Sequence, residues 1–316
     1  MSILLIHTGG TIGMDRTERG YAPRAGVVED AIAELRAQGE LREVVDILRL
    51  DPLIDSANAT PADWTRVARA IFDNLDAYDG FVVTHGTDTL AYTAAALCFA
   101  LEGLNRPVIL TGSMLPLTQP GSDGWANLSN ALDAATMAPA GVWVKFAGNR
   151  LHGARVRKSH SSAPDAFEAA AESTPPRVSS TQRRVHDFGT HDIAILSIAP
   201  GVSAHVIRAA LTECDGVVLR CYGSGTVPDS PALRDALTAA RDKGTLVIAV
   251  SQCPEGRIAL GTYAAGAVLV DAGVVDGADI TVEAAYVKLA HVLSRGLTPE
   301  QSRAELTRLY CGEASL

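Results

Sequence analysis

Ser2-Ile3-Leu4-Leu5-Ile6-His7-Thr8-Gly9-Gly10-Thr11-Ile12-Gly13 is the stretch on which the reading of this chain turns. Its first five residues are a short apolar run, the pattern of a strand buried on both faces in a parallel sheet. Two adjacent glycines then let the backbone turn sharply at the strand's carboxyl end. The turn presents Thr8 and Thr11 on a loop, at the edge where open α/β sheets bind ligands. The loop lacks the Gly-x-Gly-x-x-Gly and Gly-Lys-Ser/Thr spacings of a phosphate cradle. Two hydroxyls on a tight glycine turn suit a hydroxyl nucleophile. A plain strand-to-loop turn, with the threonines satisfying backbone groups, is the competing reading.

Working outward, the same unit recurs. Apolar residues at helical spacing run from Gly26 to Gln38, and Val44 to Arg49 reads as a strand ending in the loop Asp51 to Asn58. Thr60-Pro61-Ala62-Asp63 opens a helix, with threonine as cap, proline at the first turn and an acid three residues on. Gly80-Phe81-Val82-Val83-Thr84 is a strand that ends in His85-Gly86-Thr87-Asp88-Thr89, followed by a helix to Leu101 that is apolar nearly all round. Further strands are expected at Pro107 to Leu110 and Gly141 to Phe146, with a helix from Trp125 to Met137 between them. Strand–helix alternation of this kind implies βαβ units and a doubly wound, mainly parallel α/β sheet.

Between Ser173 and Thr190 the hydrophobic periodicity disappears, and it restarts at Ile193 with alternating strands and helices, the last two helices opened by Thr281 and by Thr298-Pro299-Glu300-Gln301, a capping box. The expectation is a larger N-terminal domain over 1–175, a linker over 176–190 and a second, smaller α/β domain over 191–316. Arg16 to Pro23, polar and broken by Gly20 and Pro23, is expected to be a mobile surface loop.

Composition narrows the classes. The chain has 316 residues, 47% hydrophobic and 20% charged, which permits sizeable cores and argues against disorder. A net charge of −9, spread along the chain, argues against nucleic-acid binding. No apolar run reaches the roughly 18 residues of a membrane span. The N-terminus enters a strand with no basic stretch or cleavage site, so cytoplasmic residence is expected. The five cysteines form no Cys-x-x-Cys pair, and neither a zinc site nor a disulfide framework is indicated.

Three strand-end loops carry polar groups that one sheet could bring together: Thr8 to Thr11, Asp55 to Asn58, and Thr87-Asp88. With Lys158 from a basic, turn-rich stretch, they would supply a hydroxyl, a carboxylate and an amine. A neutral amine can take a proton from a hydroxyl, and a carboxylate can anchor a cationic substrate. Asp88 could instead cap the helix beginning at Leu90, and Lys158 could be a solvated charge. His85, with no Ser or Cys partner motif, reads as structural.

Taken in order, Thr8-Gly9-Gly10-Thr11-Ile12-Gly13, Gly20-Tyr21, Asp55-Ser56, His85-Gly86-Thr87-Asp88-Thr89, Leu110-Thr111-Gly112-Ser113, Ser122-Asp123-Gly124, Lys158, Gln252-Cys253 and the 281–289 stretch resemble the bacterial-type L-asparaginase family. The short cytoplasmic branch is the nearest in form. The resemblance implies an amidohydrolase that splits L-asparagine into L-aspartate and ammonia without metal or cofactor. It implies Thr11 as nucleophile with Tyr21 as partner, and Thr87, Asp88 and Lys158 as a second catalytic group. It places Gly10, Ser56, Thr87 and Asp88 at the substrate, with Asp55 supporting the loop and backbone N–H groups near Thr11 and Thr87 holding the oxyanion. It also implies homodimers, paired into dimers of dimers. Many secreted members have a glutamine where this chain has Ala57, and alanine cannot bond a substrate amino group. Another amide substrate, such as glutamine or an amidated tRNA end, and an inactive amino-acid sensor are the alternatives. The tRNA-linked relatives carry an extra segment ahead of the catalytic strand.

Overall fold

The computed structural model describes residues 1–18, 20–169, 176–177 and 180–315. They divide into two units, with the break along the chain between His186 and Asp187.

The first unit opens with β1 (Ser2–Gly9), buried from Ile3 onward. A 3₁₀ turn over Thr11–Gly13 follows, then β2 (Met14–Thr17) and β3 (Gly20–Pro23). These two strands pair antiparallel, with Arg16 opposite Tyr21. The segment expected to be a mobile surface loop is a two-stranded hairpin, closed by Thr17 Oγ1 donating to Gly20 O at 2.7 Å. Its residues are too polar to show the alternation that marks a half-buried strand, because little of it is buried.

Next come α1 (Val27–Ala37), β4 (Val44–Ile54), α2 (Pro61–Phe72), β5 (Gly80–Thr84) and α3 (Leu90–Ala100). The helix α2 carries the expected capping box between Thr60 and Asp63. Then follow β6 (Leu101–Glu102), β7 (Pro107–Thr111), α4 (Gly124–Met137), β8 (Gly141–Phe146) and β9 (Asn149–His152). The unit ends with β10 (Val156–Lys158), β11 (Phe167–Ala169) and β12 (Arg184–Val185). The last of these pairs with β6, so the 176–190 segment is not wholly free of regular structure; Ser173 to Pro175 and residues 178–179 lie outside the described residues.

The main sheet has the order β4-β1-β5-β7-β8-β9. Its first five strands are parallel and β9 is antiparallel. Alternation sorts the core. Ile3, Leu5, Val45, Val82, Ile109 and Trp143 pack with the apolar residues of α1 and α4. Leu4, Ile6, Phe81 and Val83, equally buried, point to the opposite face. From β1 the chain goes outward to β4, returns past β1 to β5, and then moves away through β7 and β8. The reversal places a crevice at the carboxyl ends of β1 and β5, where doubly wound sheets hold ligands.

The second unit runs β13 (Ile193–Ser197), α5 (Ala204–Glu213), β14 (Gly216–Cys221), α6 (Pro231–Lys243), β15 (Leu246–Ser251), α7 (Ala267–Asp271), β16 (Val275–Asp276), α8 (Val282–Leu293) and α9 (Pro299–Thr307). Its four strands are parallel, in sequential order. Thr281 and Thr298 cap α8 and α9 as their sequences predict, the second with Gln301 completing a capping box. Below α8, Lys288 Nζ and Glu313 Oε1 form a buried ion pair at 2.9 Å.

Candidate active site

Three glycines let the loops after β1, β4 and β5 converge. Gly9 and Gly10 have φ of 125° and 89°, conformations that side chains resist. A Cβ on Gly9 would lie 2.5 Å from Ile54 O at the end of β4, and one on Gly10 would lie 2.4 Å from Gly86 N after β5. Gly86 is as tight on its other side, where a Cβ would meet Ser56 Oγ at 2.3 Å. No other residue type allows backbone to approach backbone this closely, so the loops meet through glycine.

Thr11 starts the 3₁₀ turn and stands part-exposed in the crevice. Its hydroxyl makes no hydrogen bond to a described residue. Thr8 does not share that position. It lies within β1, buried, with Oγ1 donating to Thr84 O at 2.8 Å. The glycine turn begins one residue too late to bring it out, so Thr8 is a strut between β1 and β5. Beside it, His7 Nδ1 meets Thr84 Oγ1 at 2.7 Å.

The β4 loop is a single 3₁₀ turn, Ser56–Asn58, braced by Asp55. Asp55 Oδ1 accepts from Ala57 N at 3.2 Å and Oδ2 accepts from Asn58 Nδ2 at 2.8 Å. Ser56 is buried, and its carbonyl accepts from Thr89 Oγ1 at 2.7 Å, which ties this loop to the β5 loop.

After β5, Lys158 Nζ donates to Thr87 Oγ1 at 3.0 Å and to Asp88 Oδ1 at 3.0 Å. Asp88 therefore does not cap α3; the cap position is Thr89. Lys158 is not a free surface charge either. It ends β10 opposite Phe167 of β11, and Phe167 is buried with its ring edge-on to Phe146, centroids 4.9 Å apart. A core aromatic thus anchors the short hairpin that delivers the amine.

His85 is structural, as its sequence context suggests. Its ring is buried, with Nδ1 meeting Gly86 O at 2.8 Å and Nε2 meeting Thr93 Oγ1 at 3.0 Å. A carbonyl can only accept, so Nδ1 carries the proton and Nε2 accepts from the threonine. Burial pushes its pKa below the ordinary histidine value, outweighing the bond to Gly86 and the charge of Asp63.

Tyr21 belongs to the hairpin that follows the Thr11 turn. It lies on β3, 48% exposed, and its hydroxyl bonds no described residue. Two residues to which sequence reasoning gave no role complete the surroundings. Asp123 accepts backbone N–H bonds from Met114 and Leu115 at 2.9 to 3.0 Å, and Asn127 Nδ2 donates to Gly112 O at 3.0 Å. They fix the loop after β7, whose Gly112 leaves room only for His85 O and for Thr87 Cγ2, 3.8 Å from where a Cβ would stand. The Ser122-Asp123-Gly124 motif marks this anchor, but only the folded loop shows what it holds.

A glycine-packed crevice with a part-exposed threonine on one loop and a Lys–Thr–Asp cluster on the next is suited to acyl transfer from an amide. Comparison with known proteins agrees. The family model described as "Asparaginase, N-terminal" matches residues 2–188, and that of the "Glutaminase/Asparaginase C-terminal domain" matches residues 192–306. L-asparaginase 1 of Escherichia coli K12 is 41% identical over 330 positions, spanning 99% of this chain and 97% of that protein. L-asparaginase of Thermococcus kodakarensis is 36% identical, covering 99% of each. The crystal structure of L-asparaginase I from Vibrio cholerae superposes with a TM-score of 0.90 at 36% identity, over 100% of this chain and 99% of that one. With both halves of the chain matched in order, this chain belongs to the asparaginase family.

Proposed function

We propose that this protein hydrolyses L-asparagine to L-aspartate and ammonia through an acyl-enzyme on Thr11. The observation that carries the proposal is the Lys158–Thr87–Asp88 cluster on the loop adjoining the Thr11 turn, at the switch point of the sheet.

Thr11 Oγ1 attacks the side-chain carbonyl carbon of asparagine as its proton leaves. Tyr21 receives that proton once the β2–β3 hairpin has folded over the substrate; Lys158, acting through Thr87, is the alternative base. The tetrahedral oxyanion needs donors. The backbone N–H groups of Thr11 and Thr87 have no acceptor among the described residues, although Thr87 is buried, so they suit an oxyanion that forms only during reaction. The amide nitrogen takes a proton and departs as ammonia, leaving an ester between Thr11 and the aspartyl group. Water, deprotonated at the Lys158–Thr87 cluster, attacks that ester, and the proton returns to Thr11 as aspartate forms. The chemistry uses no metal or cofactor.

Ser56 and Asp88 hold the α-carboxylate and α-amino group. Asp88 Oδ2 is free for the amino group while Oδ1 remains on Lys158. Gly10 lets the substrate lie against backbone, and Asp55 keeps Ser56 in place. Ala57 adds no polar group. Such a grip favours asparagine over glutamine, because one methylene displaces the reacting carbonyl by about 1.5 Å, and misplacement of about 1 Å can cost about 10²-fold. The substrate is a free amino acid and not a nucleic acid or a lipid. Among the described residues no helix is long and apolar enough to cross a membrane. Cytoplasmic residence and assembly as a homodimer or a dimer of dimers complete the reading.

Ammonia release from asparagine, glutamine, other free amino-acid amides and an amidated tRNA tests it. Release from asparagine above all others is expected. Equal kcat/KM for asparagine and glutamine shows a looser grip, and no release from any amide sinks the assignment in favour of a sensor.

A further inference from the structure

A groove of about 740 Å³ lies between α1 and α4, on the sheet face these helices share. It is distinct from the crevice above. Val27, Ala31, Leu35 and Leu117 form its apolar floor. The indole of Trp125 stands in one wall, pinned by Nε1 donating to Leu117 O at 3.2 Å. Asp30, Glu34 and Glu40 line the other.

The charges do not balance within the groove. The Glu34 carboxylate accepts only from Gln38 Nε2, at 2.6 Å, and none of the three carboxylates has a cationic partner among the described residues. Arg24, the cation in the lining, is engaged by Asp15 Oδ2 at 3.0 Å. An apolar floor, an aromatic face and unpaired carboxylates together complement a cation with an apolar body. The volume falls within the range of about 300–1,000 Å³ typical of small-molecule sites.

The walls are also the back of the nucleophile loop. Leu117 N donates to Ile12 O at 3.4 Å, next to Thr11, and Arg24 N donates to Gly13 O at 3.0 Å. Thr118 Oγ1 donates to Met14 O at 3.4 Å, at the base of the hairpin that carries Tyr21. Anything that moves Arg24 or Leu117 moves backbone bonded directly to the Thr11 turn.

We propose that this groove is an effector site for a small organic cation with an apolar body, such as an arylalkylammonium, whose occupancy alters the Thr11 turn and the hairpin. Binding follows from the groove alone; the effect on turnover rests on the roles given above to Thr11 and Tyr21.

Calorimetric titration with 2-phenylethylammonium, against 2-phenylethanol as its uncharged analogue, tests the binding. The cation should bind at least about tenfold more tightly than the alcohol, and Asp30→Asn with Glu34→Gln should reduce that preference below about threefold. Neither residue belongs to the proposed catalytic machinery, so the variant should release ammonia normally without ligand. At saturating asparagine, where competition at the substrate site is excluded, the cation should change kcat at least about twofold in the parent and not in the variant. Equal binding of cation and alcohol, no saturable binding, or full preference in the variant overturns the site. Unchanged kcat with the groove filled overturns the effector role. Ammonia release without ligand reports separately on the asparaginase assignment.

Discussion

Lys158 Nζ and Thr87 Oγ1 lie 3.0 Å apart although 71 positions separate them in the chain. Their meeting requires the β10–β11 hairpin to be folded against the end of β5. Because a surface ion pair contributes about 0–1 kcal/mol, and the Asp88 partner is 63% exposed, this contact adds little to stability, and the proposed function gives it a chemical role instead. Lys158→Met is expected to lower kcat by about 10²–10⁴ while shifting unfolding free energy by no more than about 1 kcal/mol. Steady-state ammonia release beside a urea titration measures both. A large loss of stability with kcat preserved would reverse the assignment.

Thr11 separates two routes. A double displacement leaves an aspartyl ester on Thr11, which hydroxylamine captures as aspartyl hydroxamate while ammonia release continues. Thr11→Ser should keep measurable turnover, and Thr11→Ala should lose it with the fold intact, since the side chain makes no hydrogen bond to a described residue and is part-exposed. If parent enzyme turning over asparagine yields neither hydroxamate nor an adduct on the Thr11 peptide, Thr11 orients substrate and water attacks directly.

Gly86 is a tight joint of the site. A methyl there would stand 2.3 Å from Ser56 Oγ. Gly86→Ala should push Ser56 and the β5 loop apart by a good fraction of an ångström and reduce kcat/KM by about 10²-fold. Circular dichroism should remain that of the parent. Unaltered kinetics would mean that Ser56 can rotate away without loss, and hence that it does not grip substrate.

Acid should weaken the second unit through Glu313. Burial alone would raise its pKa, but the Lys288 ammonium and then the Cys311 amide outweigh burial and hold the carboxyl below its ordinary 4.5. The unfolded chain then binds more protons than the folded one between the two values. The contribution is therefore fully present above about 4.5 and is lost as pH falls through the depressed folded pKa. Glu313→Gln, which leaves the buried Lys288 ammonium without its carboxylate partner, should cost about 3–5 kcal/mol at neutral pH and flatten the acid limb. Thermal melts from pH 7 to pH 3 follow it; an acid limb identical in parent and variant would assign the loss to other groups.

Light scattering of an active sample should give two or four times the chain mass of 33.1 kDa. A value near 33 kDa in a sample that turns over asparagine contradicts the proposed assembly.

Local signals are legible where a few neighbouring residues settle a conformation. The apolar run of Ser2 to Ile6, the double glycine after it, the Thr60-Pro61 and Thr298-Pro299 helix starts and the uniformly apolar helix after Thr89 all appear where the sequence places them. Each depends on sterics, capping or burial within one or two turns, and those act over short stretches of chain. The hairpin at Met14–Pro23 escaped that reading because, mostly exposed, it has no buried face to impose alternation.

The sequence by itself determined many of the strands and helices, the two α/β units and the polar chemistry at three strand ends. Only the tertiary structure decided that β1 lies between β4 and β5, so that those three ends are neighbours. It alone turned Thr8 inward and left Thr11 in the crevice, gave Asp88 to Lys158 instead of to the α3 cap, and set Asp123 and Asn127 to hold the loop after β7. Strand order and the direction of a side chain at a strand's end are set by pairings between segments tens of residues apart. No short window contains both partners of such a pairing, so local pattern can name the groups but cannot say which of them meet.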